Sequence, residues 1–212
     1  MTTWSANGGG GSVRIVKLEP QVQSFIYPLQ QRVMREMSPK SIRVLRLGQR
    51  YVRDDRTLTH LCLVSRALGA ELIYLEDAEK DVTGTLEGVN RTWGGEFRVV
   101  LGAPWRKVIH DAKNEGRSVV HLTMYGTPLQ EVVPKLRELD KFLLVVGGPK
   151  VPGKVYHEAD YNVGVTSQPH SEIAALAIVL HEVQSGEELK RTFHKSRLRI
   201  LPSAHGKRVV EN

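Results

Sequence analysis

The chain has 212 residues, of which 41% are hydrophobic and 25% are charged, and it is therefore long enough for one globular domain with a sizeable core. No apolar run approaches the roughly 18 to 20 residues of a membrane-spanning helix, and the single cysteine, Cys62, excludes an intrachain disulfide and predicts a reducing cytoplasm. The net charge of +7 favours a polyanionic partner, and nucleic acid is the first candidate.

Residues 1–40 are predicted to be a flexible amino-terminal extension. Residues 7–12 have the glycine-serine composition of a linker, and neither a GK[ST] sequence nor a preceding strand supports a phosphate loop there. Residues 13–37 show no sustained period, and the first residues do not have the pattern of a signal peptide. We therefore expect residues 41–212 to form the functional domain.

From Ile42 onward, strand-like and helix-like segments alternate, which predicts an α/β fold with a mainly parallel sheet flanked by helices. In chain order, the predicted strands are residues 42–47, 71–75, 97–100, 118–122, 142–146 and 161–165. The predicted helices include residues 56–68, a helix that ends near Trp93-Gly94-Gly95, a helix that starts at Pro104, and residues 128–139 and 171–183.

The first predicted helix has an apolar side and a cationic side at about 100° per residue. The side expected to face the core carries Leu58, Leu61, Cys62, Ser65 and Leu68. The other side carries Arg56, Thr59, His60 and Arg66, and Arg46, Arg50 and Arg53 precede the helix. A solvated helix face is one interpretation. The concentration of guanidinium groups at a strand end favours the other, a binding site for RNA phosphate.

Two loops rich in backbone polar groups follow the fifth and sixth strands, at residues 146–152 and 165–172. We predict that these strands are neighbours, because loops at the carboxyl ends of neighbouring strands form ligand clefts in α/β proteins. In the first loop, Gly147 and Gly148 allow a ligand to approach the backbone closely, and Pro149 and Pro152 stiffen the chain. Neither P-loop nor G-x-G-x-x-G spacing is present.

The second loop leads into the last long helix. Pro169 suits the first helical position with Gln168 as the N-cap, and Glu172 complements the helix dipole. The free N–H groups of this turn suit the polar edges of a ligand, and His170 is either a ligand contact or a capping residue. The helix behind the loop is apolar nearly all round, which predicts burial, and its alanines permit close approach to a helix of a partner subunit.

Other chemistries have little support in the sequence. The eight histidines show no H-E-x-x-H pattern and have no cysteine partners, so no metal site is expected. A Ser-His-Asp triad lacks its G-x-S-x-G turn. A Rossmann-type nucleotide-binding enzyme lacks G-x-G-x-x-G after the first strand.

A series of short blocks runs in order from about residue 42 to about residue 210. The blocks are Val44-Leu45-Arg46-Leu47-Gly48, Arg53-Asp54-Asp55-Arg56, Thr59-His60, Arg66-Ala67-Leu68-Gly69-Ala70, Trp93-Gly94-Gly95, Val120-His121-Leu122-Thr123-Met124-Tyr125-Gly126, the Gly147 loop, Ala159-Asp160-Tyr161-Asn162-Val163 and Gln168-Pro169-His170-Ser171-Glu172. This series resembles the archaeal tRNA cytidine 2′-O-methyltransferase family that modifies position 56 in the T-loop. The resemblance leaves only the amino-terminal extension uncovered.

The resemblance implies the SPOUT superfamily, in which the carboxyl-terminal part of a mainly parallel sheet is tied into a deep trefoil knot. It implies S-adenosylmethionine as the cofactor and a homodimer with the cofactor site near the subunit interface. The implied cofactor-binding residues are Leu122, Gly147, Gly148, Pro149, Lys150, Val151, Val165, Thr166, Ser167, Gln168, Pro169, His170, Ser171 and Glu172. Gly148-Pro149 and Thr166-Ser167 differ from the Ala-Glu and Gly-Asn that are common in the family.

The implied reaction is methyl transfer to a ribose 2′-hydroxyl of tRNA. A ribose hydroxyl is a poor nucleophile until its proton is accepted, so the protein must supply an acceptor and an in-line position. Superfamily members use an arginine in an Asn…Arg-Thr-Ala motif, but the spacing here differs, and the candidates are Arg56, His60 and Arg66. Imidazole is the side chain best suited to a base near neutral pH. Any of the three residues could instead hold phosphate.

We predict contacts with tRNA phosphates from two regions. The first comprises Arg46, Arg50 and Arg53, and the second is the basic carboxyl-terminal stretch, in particular Arg197 and Arg199. The alternative function is a non-catalytic RNA-binding protein of the same fold. The presence of Arg56, His60 and Glu172 favours the enzyme, and cofactor binding discriminates between the two.

Overall fold

The computed structural model describes residues 39–48, 55–76, 82–147 and 151–212. The strands are β1 (Ser41–Leu47), β2 (Leu72–Leu75), β3 (Arg98–Leu101), β4 (Ser118–Pro128), β5 (Lys141–Gly147), β6 (Tyr161–Gly164), β7 (Leu198–Ile200) and β8 (Val209–Glu211). The helices are α1 (Asp55–Ala67), α2 (Thr83–Trp93), α3 (Trp105–Asn114), α4 (Leu129–Arg137), α5 (Gly153–Glu158) and α6 (Glu172–Val183), with a 3₁₀ helix at Glu187–Lys190. Only residues 39 and 40 of the predicted extension are among those described, so its flexibility stays a prediction.

In the described residues, β1 to β6 form one parallel sheet with the strand order β3-β2-β1-β5-β4-β6. The six strands predicted from the sequence and the parallel α/β class are confirmed. The prediction that β5 and β6 are neighbours is wrong, because β4 pairs with both strands and lies between them. The carboxyl ends of all three strands nevertheless meet at the same edge of the sheet.

Two hydrophobic layers cover the two faces of this sheet. One layer contains Leu61 of α1 and Leu176 of α6, together with apolar residues of α2 and α4. The other contains Ile109 of α3 and Val155 of α5. Residues 142–146 of β5 are all buried, as expected for a central parallel strand that is covered on both faces. Among the described residues, no helix is long and apolar enough to cross a membrane.

Residues 123–126 of β4, which we call the β4 bulge, lie unusually close to β6. The pairing of β4 with Val163 shifts from Leu122 to Thr127 across this segment. A Cβ atom added to Gly126 would lie 2.5 Å from the backbone of Val163, and one added to Gly164 would lie 3.1 Å from the carbonyl oxygen of Gly126. Glycine at both positions therefore permits the close approach of the two backbones.

β7 and β8 form a separate antiparallel hairpin beside the carboxyl end of α2. The amide of Arg197 donates to the carbonyl of Thr92 at 3.1 Å, and the amide of Gly95 donates to the carbonyl of His194 at 3.0 Å. Gly94 has φ of +79° and leaves no room for a Cβ beside the His194 carbonyl. The predicted helix end at Trp93-Gly94-Gly95 is confirmed, and it is also the place where the carboxyl-terminal segment packs.

Candidate active site

A cavity of about 420 Å³ opens at the carboxyl ends of β4, β5 and β6. This volume lies within the usual range of small-molecule sites, roughly 300 to 1,000 Å³. The wall is formed by the end of β4, the end of β5 and the loop that leads to α6. The lining residues are His121, Leu122, Thr123, Met124, Tyr125, Val146, Gly147, Val151, Tyr156, Val163, Val165, Pro169, His170, Glu172 and Ala175.

One side of the cavity is apolar and closely packed around Gly147. A Cβ atom on Gly147 would overlap Cγ2 of Val151 and lie 3.7 Å from Cβ of Leu47. The absence of a side chain at this position therefore lets β5 end against residue 151 and leaves the backbone of Gly147 at the cavity wall. A flat apolar ligand with polar edges suits such a wall, because glycine backbone allows close contact.

A hydrogen-bonded network of four side chains supports the other side. The hydroxyl groups of Thr123 and Tyr156 are 2.9 Å apart, and the edge of one ring of the His121–Tyr156 pair meets the face of the other. Asn162 Nδ2 donates to the carbonyl of Tyr156 at 2.9 Å, so Asn162 Oδ1 accepts from His121 Nδ1 at 2.8 Å. Burial lowers the pKa of His121, which favours the neutral ring with its proton on Nδ1.

Glu172 is held at the cavity by a buried arginine. Arg46 is only 4% exposed, and its Nε donates to Oε1 of Glu172 at 3.2 Å. A second nitrogen of the same guanidinium donates to the carbonyl of Gly48. Arg46 therefore joins the end of β1 to the start of α6. Its side chain is turned into the protein, away from the exposed cationic edge that the sequence predicts.

The start of α6 differs from the prediction. Ser171 is the N-cap, and its hydroxyl accepts a hydrogen bond from the amide of Ile173 at 3.2 Å, so the prediction of Gln168 as the cap and Pro169 as the first helical residue is wrong. His170 Nδ1 donates to the carbonyl of Gln168 at 2.7 Å. Residues 168–170 therefore form a compact turn before the helix, which brings Pro169 and His170 to the cavity.

The structure brings together half of the predicted cofactor-binding residues. Those that line the cavity are Leu122, Gly147, Val151, Val165, Pro169, His170 and Glu172. Those that lie beside it in the loop before α6, without forming its wall, are Thr166, Ser167, Gln168 and Ser171. Gly148, Pro149 and Lys150 lie outside the described residues.

The predicted cationic residues at the protein surface lie in two places. Arg56 and His60 are exposed on α1, and Arg197 and Arg199 are exposed beside and in β7. Arg50 and Arg53 lie outside the described residues.

Arg66 is not at the surface. The prediction that it lies on the exposed side of α1 is wrong, because it is only 6% exposed. Its Nε donates to Asn90 Oδ1 at 2.9 Å, and its Nη2 donates to the carbonyl of Gly94. The guanidinium also lies 4.5 Å from the centre of the Phe193 ring. These contacts tie α1 to the end of α2 and to the carboxyl-terminal segment.

Several lining residues were not among the predicted site residues. They are His121, Thr123, Met124, Tyr125, Val146, Tyr156, Val163 and Ala175. The sequence could have indicated His121 and Thr123, because they are polar residues near the carboxyl end of a predicted strand. Both also belong to the block at residues 120–126 that resembles the family. Tyr156 gave none, because its contacts with residues 121, 123 and 162 arise only from the fold.

Comparison with known proteins decides the family. Residues 93–210 match the family model described as tRNA ribose 2′-O-methyltransferase, aTrm56. The chain is 48% identical over 170 residues to the tRNA (cytidine(56)-2′-O)-methyltransferase of Cenarchaeum symbiosum, covering 80% of this chain and 97% of that protein. The chain belongs to this family. The resemblance proposed from the sequence is thereby confirmed.

Other members of the family give the same result. The enzyme of the same name from Methanopyrus kandleri is 46% identical over 175 residues, covering 82% of this chain and 98% of that protein. For the enzyme of Nitrosopumilus maritimus the identity is 45% over 168 residues, with 79% and 95% covered. The match therefore spans nearly the whole of each relative.

Solved structures support the fold of the family. An RNA 2′-O ribose methyltransferase superposes with a TM-score of 0.55 at 17% identity, covering 71% of this chain and 58% of that one. The SpoU methyltransferase AviRb from Streptomyces viridochromogenes, in complex with AdoMet, superposes with a TM-score of 0.53 at 13% identity, with 70% and 58% covered. The α/β class with a SpoU-like sheet is confirmed. At these identities the likeness concerns the fold alone.

Proposed function

We propose that this chain transfers a methyl group from S-adenosylmethionine to the ribose 2′-hydroxyl of cytidine 56 in the T-loop of tRNA. The observation that carries the proposal is the identity of 45 to 48% with relatives of that named activity over 95 to 98% of their length. We further propose a cytoplasmic homodimer and a trefoil knot formed by the segments around β4, β5 and β6. The strand order β5-β4-β6 supports the knot, because the chain that connects β5 to β6 must pass β4.

The residues of the cavity fit S-adenosylmethionine. When bound, this cofactor supplies a methyl group on a sulfonium, which is electrophilic without further activation. The wall at Gly147, Val151 and Val165 accepts an adenine face, and the backbone of these residues offers polar groups to its edges. The Glu172 carboxylate also lines the cavity, where Arg46 holds it in place. It suits a cationic or hydroxyl group of the ligand.

His121 provides a second test of this fit. Its Nε2 is buried and has no hydrogen-bond partner among the described residues, although the ring belongs to the cavity wall. With the proton on Nδ1, this nitrogen is an acceptor, and an unpaired buried acceptor costs about 1 to 3 kcal/mol. A polar ligand group that reaches this nitrogen would remove that cost. Polar contacts of this kind are what a nucleoside-containing ligand requires.

Arg56 and His60 are the side chains that we assign to the ribose hydroxyl. Both are exposed on α1, the helix that follows β1, and β1 is the neighbour of β5 in the sheet. We propose that the imidazole of His60 accepts the proton of the 2′-hydroxyl and that Arg56 binds an adjacent phosphate and fixes the nucleotide. We assign Arg66 a structural role, since its Nε and Nη2 donate to groups within the protein.

The experiment that tests the proposed function uses the purified full chain, an unmodified tRNA transcript and methyl-labelled S-adenosylmethionine. We expect one labelled nucleotide, 2′-O-methylcytidine at position 56. A transcript with 2′-deoxycytidine at position 56 lacks the acceptor hydroxyl and is the matched control. Label at another nucleotide would overturn the target, and tRNA binding without transfer would favour the non-catalytic RNA-binding protein.

We expect replacement of Arg197 and Arg199 by alanine to weaken tRNA binding. The two side chains are exposed in the carboxyl-terminal segment, and removal of each phosphate-binding cation should reduce the salt slope of log K by about 1. Filter binding at several salt concentrations measures this slope. The double variant Lys107→Ala/Lys113→Ala removes two cations from α3, on the other face of the sheet, and is the control. An unchanged slope in the Arg197/Arg199 variant would contradict the assignment.

We expect Ile178→Glu to dissociate the proposed homodimer. The sequence predicts that α6 is buried, whereas in this chain alone Ile178 is 44% exposed and Ala174, one turn before it, is also exposed. A glutamate there would bury an unpaired charge in a helix-helix contact. Sedimentation velocity measures the mass, and Ile178→Val, which keeps the apolar surface, should remain dimeric. A variant with the mass of the wild type would exclude this face from the interface.

A further inference from the structure

Tyr125 is the most exposed large hydrophobic side chain among the described residues. It is 82% exposed, and it lies in the wall of the cavity. Met124 beside it is 37% exposed and lines the same cavity. A single exposed aromatic residue on a surface is ordinary. An aromatic ring at the rim of a ligand cavity, in a protein of basic composition, is in a position to bind a planar group.

The backbone that carries Tyr125 is firmly supported. The amide of Tyr125 donates to the hydroxyl of Thr123 at 3.4 Å, and that hydroxyl is 2.9 Å from the Tyr156 hydroxyl. On the other side of Tyr125, Gly126 lies directly against the backbone of Asn162 and Val163. The residue after Tyr125 is thus packed against β6, which reduces the backbone freedom that the exposed ring would lose on binding.

We propose that Tyr125 is the stacking platform for the base of the target nucleotide. The proposal rests on the proposed function: a ribose whose hydroxyl enters the cavity carries its base at the rim, because one glycosidic bond joins the two. Single-stranded or extruded bases in RNA are bound by stacking on aromatic side chains. The ligand of this subsite is a pyrimidine base of tRNA, held on the ring face while the ribose is placed beside the cofactor.

The test compares Tyr125→Ala with Tyr125→Phe and Tyr125→Trp in the full chain. Loss of base stacking should lower kcat/KM for tRNA by about 5- to 150-fold in the alanine variant. The phenylalanine and tryptophan variants keep a ring face and should stay close to the wild type. Leu189→Ala removes an exposed apolar side chain that does not line the cavity, and it is the matched control. The dissociation constant for S-adenosylmethionine should be the same in all five proteins.

A fluorescent readout separates stacking from a general structural role. A tRNA that carries a fluorescent cytidine analogue, pyrrolocytidine, at position 56 should be quenched on binding to the wild type and to Tyr125→Phe. It should not be quenched by Tyr125→Ala. Equal quenching and equal kcat/KM in Tyr125→Ala and the wild type would overturn the proposal.

Two further outcomes would also overturn it. A Tyr125→Ala protein that sediments as a different species would assign the ring to a contact between subunits, and one that loses S-adenosylmethionine affinity would assign it to the cofactor. Failure of the proposed function is distinguishable, because then the wild-type protein itself would not methylate tRNA.

Discussion

A tryptophan at Gly147 is expected to abolish S-adenosylmethionine binding and, with it, methyl transfer. Gly147 is in the cavity wall, and even a Cβ atom there would overlap the side chain of Val151. An indole is far larger than a methyl group, and Val151, which it would displace, is itself in the cavity wall. We expect the dissociation constant to rise by about 100-fold or more, which corresponds to roughly 2.7 kcal/mol. Equilibrium dialysis with labelled cofactor measures it.

The control for this variant is Gly84→Trp. Gly84 is exposed on α2, and a Cβ atom there would have no neighbour within 4 Å, so the same side chain is added without entering a cavity. Urea unfolding of both variants shows whether Gly147→Trp is folded. If Gly147→Trp were folded and bound the cofactor with wild-type affinity, the cavity would not be the cofactor site.

A smaller pair of variants tests the geometry itself. Gly147→Ala should weaken cofactor binding partially, because the new methyl group must displace Val151 Cγ2 and the loop that carries it. Val151→Ala removes that Cγ2 atom, so the double variant Gly147→Ala/Val151→Ala should bind better than Gly147→Ala alone. Such a recovery would be a direct measure of coupling between the two positions.

The parallel α/β architecture was predictable from the sequence because each strand carries its own signal. The apolar run at residues 142–146 is long enough for a strand, lacks the amphipathic period of a surface helix, and is buried on both faces as a central strand. The order of the strands was not predictable in the same way. Nothing in residues 118–128 indicates that β4 inserts between β5 and β6, because the edge that a strand joins depends on long-range packing.

The site was predictable where it depends on local chain chemistry. Gly147 is the last residue of β5, Pro169 and His170 lie in the loop after β6, and Glu172 is the first residue of α6; all four line the cavity. Tyr156 was missed, since its place in the wall depends on Thr123, which is 33 positions away in the chain. A polar side chain whose partner arrives from a distant segment leaves no pattern in its own neighbourhood.

Arg66 shows the same limit on a helix. The helical period of 3.6 residues places the Cα of Arg66 on the side of α1 away from the sheet. This period says nothing about other parts of the chain that cover that side. The end of α2 and the segment at Phe193 pack over that side of the helix and enclose the guanidinium. Helical periodicity therefore identified the core-facing residues Leu58, Leu61 and Cys62 correctly and misjudged the residue that a later part of the chain covers.

Replacement of Arg66 by alanine is consequently expected to destabilise the fold, whereas replacement of Arg56 is not. The variant removes two charge-assisted hydrogen bonds and a cation–π contact, and it leaves the carbonyl of Gly94 without this donor. We expect the free energy of unfolding to fall by about 3 kcal/mol. Arg56→Ala and His60→Ala alter exposed side chains and should change it by less than about 0.5 kcal/mol. Urea unfolding monitored by circular dichroism measures all three.

The rate of methyl transfer should separate His60→Ala from Arg66→Ala in the opposite sense to their stability. Single-turnover rates at saturating S-adenosylmethionine and tRNA isolate the chemical step from binding. His60→Ala should lose about 100-fold or more if its imidazole accepts the proton, with its stability unchanged. Arg66→Ala, assayed well below its unfolding temperature, should keep a rate near that of the wild type, because its guanidinium serves the packing of α1, α2 and the carboxyl-terminal segment. If Arg66→Ala were stable but inactive and His60→Ala fully active, Arg66 and not His60 would be the residue needed for the chemical step.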